Sequence, residues 1–212
     1  MTNFCIIDYG LGNVRSVKNA FEKLKVNVCI SSDKKQIQSS SHLILPGVGS
    51  FESGMEGLKS RGLIDLLNEE ILNKKKPVLG ICLGMQLFAS KSFEHGNHDG
   101  LNWISGTIEK IDDKNNQLRL PHMGWNETNS KSGFILTKRL KDKPIFYFVH
   151  NYHFLPTDQK VISSTCEYGE KIVSSVENKN IFGVQFHPEK SHDDGFVILK
   201  NFIKVKSSYA KD

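Results

Sequence analysis

In the first half of the chain, short apolar runs alternate with stretches of helical spacing. Phe4–Ile7, Val26–Ile30, His42–Leu45 and Val78–Ile81 each read as one buried strand. Val14–Leu24, the short polar stretch Asp33–Ser40, Phe51–Lys59 and Leu63–Asn73 read as helices, and another is expected from Gly84 to about Ser92. Strands alternating with helices predict an α/β fold with a mainly parallel central sheet and helices on both faces. After Glu94 the texture changes. Trp103–Ile111, Asn116–Leu120, Phe134–Lys138, Ile145–His150, Val161–Cys166, Lys171–Val176 and Ile181–Phe186 look like strands separated by turn residues. They predict antiparallel hairpins in the C-terminal half, some extending the sheet and some forming a side sheet. Gly195–Lys204 reads as a closing helix. No repeat or linker interrupts the pattern, so one domain is expected over residues 1–206, with a loose tail from 207 to 212.

The length of 212 residues suits such a domain and a sizeable core. The net charge of +5 is modest, and the lysines fall in short sets, Lys34–Lys35 and Lys74–Lys76, read here as solvated faces rather than a nucleic-acid surface. Cys5, Cys29 and Cys166 lie in expected strands and read as small core hydrophobes. No cysteine pair has metal-site spacing, and neither a metal nor a cofactor is expected. The absence of a disulfide framework fits a reducing cytosol. The first apolar run has no basic region before it, so no signal peptide is read there, and no run approaches the roughly 20 apolar residues of a membrane span.

Candidate chemistry begins at Gly80-Ile-Cys-Leu-Gly84. This is the Gly-x-nucleophile-x-Gly pattern of a strand turning sharply into a helix, with Cys82 at the strained central position. The thiol is expected to stand exposed at the strand end, over a helix N-terminus that favours a thiolate. The backbone N–H of Leu83 is then placed as an oxyanion donor. The second signal is Gly183-Val-Gln-Phe-His-Pro-Glu-Lys190. His187 and Glu189 are two apart at the end of an apolar strand, so both side chains can point the same way. An imidazole beside a carboxylate is the base-and-orienter pair that a thiol nucleophile needs. The Gly10-x-Gly12 pair does not extend to a dinucleotide fingerprint, because Arg15 stands where a small residue would be required.

A cysteine elbow followed by a His-Pro-Glu segment resembles the triad, or class I, glutamine amidotransferases, whose sheet is flavodoxin-like. Six segments in order narrow the resemblance: IDYGLGN at Ile7–Asn13, LPGVGSF at Leu45–Phe51, GICLGMQL at Gly80–Leu87, PHMGWN at Pro121–Asn126, YFVHNY at Tyr147–Tyr152 and QFHPEKS at Gln185–Ser191. Together they are similar to the glutaminase subunits of imidazole glycerol phosphate synthases. The resemblance implies a Cys82–His187–Glu189 triad that releases ammonia from L-glutamine. It implies oxyanion donors on Leu83 and, once its peptide is turned, Val48. Gly49, Gln86 and Glu94 are implied as substrate contacts, with Glu94 meeting the α-amino group. The implied partner is a (β/α)8 cyclase subunit in a heterodimer, with Asn13, Trp125 and Lys190 near the contact and the ammonia exit. The family's glutaminase is nearly silent until the partner holds its own substrate, and the Gly47-Val-Gly49 peptide is a plausible two-state element for that switch.

The chain departs from the family pattern at Gly100-Leu-Asn-Trp-Ile104 and at Tyr152-His-Phe154. Neither touches the triad, but both leave a second reading open: a related glutaminase subunit that feeds a synthase amidating a surface sugar. A different cysteine hydrolase and a non-catalytic binding subunit are the more distant alternatives.

Overall fold

The computed structural model describes residues 3–114 and 117–206. The first half runs β1 (Asn3–Ile7), α1 (Val14–Lys23), β2 (Asn27–Ser31), α2 (Lys34–Ser39), β3 (His42–Gly47), α3 (Phe51–Ser60), α4 (Ile64–Asn68), β4 (Val78–Cys82) and α5 (Leu83–Gln86). The second half runs β5 (Lys91–Ser92), β6 (His98–Asp99), β7 (Gly106–Lys110), β8 (His122–Glu127), β9 (Asn129–Ser130), β10 (Ile145–His150), β11 (Tyr152–Pro156), β12 (Ile162–Tyr168), β13 (Glu170–Asn178), β14 (Ile181–Val184) and α6 (His192–Ile203). The central sheet has the order β2-β1-β3-β4-β14-β13-β12-β9. Pairing is parallel from β2 to β14 and antiparallel beyond it. Two small sheets flank it, β10-β8 and β11-β7-β5-β6.

Strand alternation divides the core. Cys5, Ile7, Leu43 and Leu45 point to one face, where Ile37, Phe51, Leu58 and Leu67 of α2, α3 and α4 cover them. Phe4, Ile6, Ile44, Leu79 and Ile81 point to the other, under Val17 and Phe21 of α1 and Ile198, Leu199 and Phe202 of α6. A strand buried on both faces needs apolar residues at every position, which is why these runs are continuous rather than alternating. Each such side chain contributes about 1.5–3 kcal/mol on burial.

The expectations fail at identifiable places. The helix from Gly84 to Ser92 is a single turn, because the chain bends after Gln86 and Lys91–Ser92 pairs with β7. Phe134–Lys138 is not a strand: its backbone turns, and the Glu177 carboxylate accepts hydrogen bonds from the N–H groups of Ile135 and Leu136. Of Asn116–Leu120, residue 116 lies outside the described residues and the rest is turn and bend. The expected tail, 207–212, also lies outside them. Strands β8 and β11 and the short β5, β6 and β9 lie outside the expected strands, and the Leu63–Asn73 helix changes to π-helical winding over Glu69–Asn73. The Lys74–Lys76 set is not wholly solvated. Lys76 is fully buried, with Nζ 2.6 Å from Glu70 Oε2 and donating to the carbonyls of Ile37 (3.0 Å) and Gln38 (2.9 Å). Burial depresses the Lys76 pKa against the pull of Glu70. No helix among the described residues is long and apolar enough to cross a membrane.

Candidate active site

The site forms at the C-terminal edge of the parallel strands, where open α/β sheets place their ligands. Cys82 ends β4 with φ +54° and ψ −112°, a strained conformation for a residue with a side chain. The elbow is tightly packed. A Cβ on Gly84 would lie 1.7 Å from the Leu45 carbonyl oxygen, so only glycine lets the turn seat against β3. One expectation is corrected: the thiol is not exposed. Cys82 is only 5% accessible, with Sγ 3.9 Å from the Val149 carbonyl oxygen. Because α5 is one turn long, what it offers a developing charge is its first free N–H groups, Leu83 among them, rather than an extended helix dipole.

β14 lies directly beside β4, with Val184 opposite Ile81. The chain beyond β14 therefore delivers His187 to the elbow. The His187 N–H donates to the Tyr147 carbonyl at 2.9 Å, and Ser191 Oγ ties the turn further by donating to the His187 carbonyl (2.6 Å) and accepting from the Tyr147 N–H (3.0 Å). Pro188–Lys190 forms one 3-10 turn that brings Glu189 back under the ring. His187 Nδ1 lies 2.8 Å from Glu189 Oε1, and both side chains are buried. Burial opposes an imidazolium here. The weak contact to Cys82 and the hydrogen bond to Glu189, with the negative charge of each, outweigh it and hold the His187 pKa well above its ordinary value. Nε2 makes no full hydrogen bond to protein, which leaves that nitrogen to exchange a proton with the thiol.

The Pro46–Gly49 segment borders the elbow from the other side, Gly47 standing opposite Cys82 in the sheet. Tyr9 Oη donates to the Pro46 carbonyl at 2.5 Å and pins the start of the segment. Its end is loose by comparison. Val48 is 42% exposed, and Gly49 has φ +125° with nothing within 4 Å of where a Cβ would stand. Glu94 Oε2 accepts from the N–H of Phe51, the first residue of α3 (2.7 Å). Glu94 also borders a cleft of about 530 Å³ shared with Tyr152, Asn151, Lys110 and Arg119. Gln86 points inward: its Nε2 donates to the Tyr152 carbonyl (2.8 Å) and to Gln185 Oε1 (3.0 Å).

The three residues assigned to the partner side are separated from the triad by their exposure. Asn13 caps α1, its Oδ1 accepting from the Ser16 N–H at 3.2 Å. Trp125 on β8 is 49% exposed and stacks on His192 with ring centroids 4.9 Å apart. Lys190 Nζ sits 5.5 Å over the Tyr147 ring, and Tyr147 also packs edge-on against Trp125. Trp125 and Lys190 thus share one patch. Sequence reasoning missed Gln185, Tyr152 and the buried His122–His150 pair (2.9 Å), although each stands inside a segment that carried the resemblance.

The fold and this Cys-His-Glu edge are those of a class I amidotransferase. The family described as glutamine amidotransferase class-I matches residues 5–205, and the chain belongs to it. Within that class it stands with the HisH subunits of imidazole glycerol phosphate synthase. It is 47% identical over 207 residues to subunit HisH of Pelagibacter ubique (strain HTCC1062), covering 96% of this chain and all of that one. It is 40% identical over 203 residues to subunit HisH 2 of Pseudomonas aeruginosa, covering 94% of this chain and 98% of that one. Among solved structures, PurLQS from Thermotoga maritima superposes with a TM-score of 0.73 at 16% identity, over 95% of this chain and 97% of that one, a likeness of fold.

Proposed function

We propose that this chain is a single glutaminase domain, spanning residues 1–206, that hydrolyses L-glutamine through Cys82, His187 and Glu189. The ammonia passes to a (β/α)8 cyclase subunit held in a cytoplasmic heterodimer, for imidazole glycerol phosphate and AICAR formation in histidine biosynthesis. The observation that carries the reading is the strained Cys82 elbow beside a strand that delivers a buried His187–Glu189 pair at 2.8 Å.

His187 Nε2 takes the proton of Cys82, and the thiolate attacks the amide carbon. The Leu83 N–H and, after the Gly47–Gly49 peptide turns, the Val48 N–H receive the oxyanion. A single such donor is worth about 10²–10³ in rate. Collapse breaks the C–N bond, and His187 returns the proton to the leaving nitrogen as ammonia. Water, deprotonated by His187, then cleaves the glutamyl thioester and regenerates the thiol. Glu189 keeps the ring oriented, and Glu94 pairs with the α-ammonium group. Gly49 lets the chain approach the substrate, and Gln86 contacts it through its remaining amide oxygen. Ammonium is no nucleophile, so the product must leave unprotonated through a sheltered exit. The exposed patch of Trp125 and Lys190, with Asn13, is assigned to that partner face.

Ammonia release would be measured for the chain alone, with a histidine-pathway cyclase subunit, and with that subunit plus its nucleotide substrate. Strong activation only in the third mixture is expected. The departures at Gly100–Ile104 and Tyr152–Phe154 favour one second reading, a subunit for a sugar-amidating synthase. Silence in all three mixtures, with Cys82 still alkylated by a glutamine analogue, would select it.

A further inference from the structure

Gln185 is fully buried at the end of β14, two residues before His187. Its side chain bridges Gln86 and the nucleophile: Oε1 is 3.0 Å from Gln86 Nε2, and Nε2 is 3.7 Å from Cys82 Sγ. The orientation of a buried amide is normally a matter of assignment. Here it is forced from outside. The Tyr152 carbonyl oxygen is an acceptor only, so the Gln86 atom 2.8 Å from it must be the amide nitrogen. That same nitrogen faces Gln185, which must therefore present its oxygen to Gln86 and its N–H to Cys82. Flipping Gln185 alone would set two donors against each other at 3.0 Å. Flipping Gln86 as well would set two acceptors against each other at Tyr152.

The Tyr152 carbonyl is itself held on its other side. His150 Nδ1 is 2.8 Å from it and must carry the proton. His150 Nε2 is then an acceptor, 2.9 Å from His122 Nδ1, and His122 Nε2 accepts in turn from Asn126 Nδ2 at 3.3 Å. Burial holds both rings neutral, which suits this one-way chain.

We propose that Gln185 is a further catalytic residue: its side-chain N–H donates to Cys82 Sγ and stabilises the thiolate formed when the proton passes to His187. The bond suits the reaction cycle. In the thiol form Cys82 can direct S–H at the Val149 carbonyl while accepting from Gln185. Loss of the proton leaves the Gln185 donor aimed at full negative charge, where hydrogen bonds are strongest. Transfer to substrate weakens it again, so its contribution lies in the larger population of thiolate ready to attack.

This inference rests on Cys82 being the nucleophile, and the experiment separates the two. The pH dependence of iodoacetamide alkylation at Cys82 would be followed by peptide mapping in wild type, Gln185→Met and Gln185→Glu, each first checked for a cooperative thermal transition. Gln185→Met keeps length and burial but removes the donor, and should slow alkylation at pH 7 about tenfold and move its midpoint upward. Gln185→Glu, which faces the sulfur with an acceptor, should move it further. kcat should fall in the same order with KM for glutamine less affected. A folded Gln185→Met protein with an unshifted midpoint would overturn the proposal. If Gln185→Met fails to fold, Gln185→Leu, which likewise buries an apolar side chain without a donor, takes its place under the same criterion. Wild-type glutaminase activity in Cys82→Ala would instead overturn the nucleophile reading.

Discussion

The two walls of the active site are built in opposite ways. On the β14 side, the side chains of Gln185, His187 and Glu189 are buried and hydrogen-bonded, and the segment is strapped to β10 through Tyr147 and Ser191. On the β3 side, Val48 is exposed and Gly49 is surrounded by open space. The wall proposed to prepare the nucleophile is held by hydrogen bonds and packing, whereas the wall proposed to receive the oxyanion has open space beside it. A two-state switch needs an element with two accessible arrangements. Of these two walls, the β3 side has the room for one, so control by a partner is expected to act on oxyanion stabilisation rather than on the triad.

The largest effects should come from the hydrogen-bonded wall. Cys82→Ala should lower glutaminase kcat at least about 10³-fold without loss of folding, because it removes the proposed nucleophile. His187→Ala should be nearly as severe, since the thiol loses its proton acceptor, and Glu189→Gln milder, about 10²-fold. Steady-state ammonia release checks all three, and equal activity in Glu189→Gln would remove its orienting role.

Paired glycine substitutions sharpen the contrast in stability. Gly84→Ala drives a methyl group into the Leu45 carbonyl and should cost about 3 kcal/mol or more in urea unfolding. Gly49→Ala meets no neighbour and costs only the strain of its positive φ, about 1 kcal/mol. Yet Gly49→Ala should lose most of the partner-induced activation, because the peptide can no longer turn cheaply. Similar stabilities for the two variants would erase the contrast between the walls.

Acid should attack the buried histidines, of which His122 and His150 are shifted downward most strongly. Burial lowers the His122 pKa to about 4 and the His150 pKa to about 3. Between those values and the unfolded value near 6.5, the unfolded chain binds more protons than the folded one. Stability contributed by keeping these rings neutral is therefore full above pH 6.5 and lost as pH falls toward 4, by up to about 1.4 kcal/mol per pH unit per ring. Urea unfolding at pH 7, 6 and 5 should show that slope, reduced in His150→Gln. The smallest effect belongs to Lys190→Ala, which should leave stability within about 0.5 kcal/mol and weaken partner activation, as titration with the cyclase subunit would show.

Much of this contrast was legible in the sequence. Continuous apolar runs identified every parallel strand of the central sheet, because a strand buried between two helix layers admits few polar residues. The glycines around Cys82 announced the elbow, since close packing against the Leu45 carbonyl excludes any side chain. Phe134–Lys138 misled because its apolar residues lie in a turn that buries Leu136 but leaves Ile135 exposed, with Glu177 replacing a ladder partner for its N–H groups. The helix expected after Gly84 ended early because pairing with β7, distant in sequence, outweighed local spacing. Strand β8 buries only His122 and leaves Met123 and Trp125 largely exposed, so no continuous apolar run marks it. Gln185 was written inside the His-Pro-Glu segment, but its role depends on Gln86 and Tyr152, which only the fold brings to it.

The most direct test is to quench the chain with acid during turnover of isotopically labelled glutamine, in complex with the cyclase subunit and its nucleotide, and to map the labelled peptide. A glutamyl group on the peptide carrying Cys82, absent in Cys82→Ala, is the predicted result. Ammonia formed at full rate with label on another residue, or with wild-type turnover in Cys82→Ala, would contradict it.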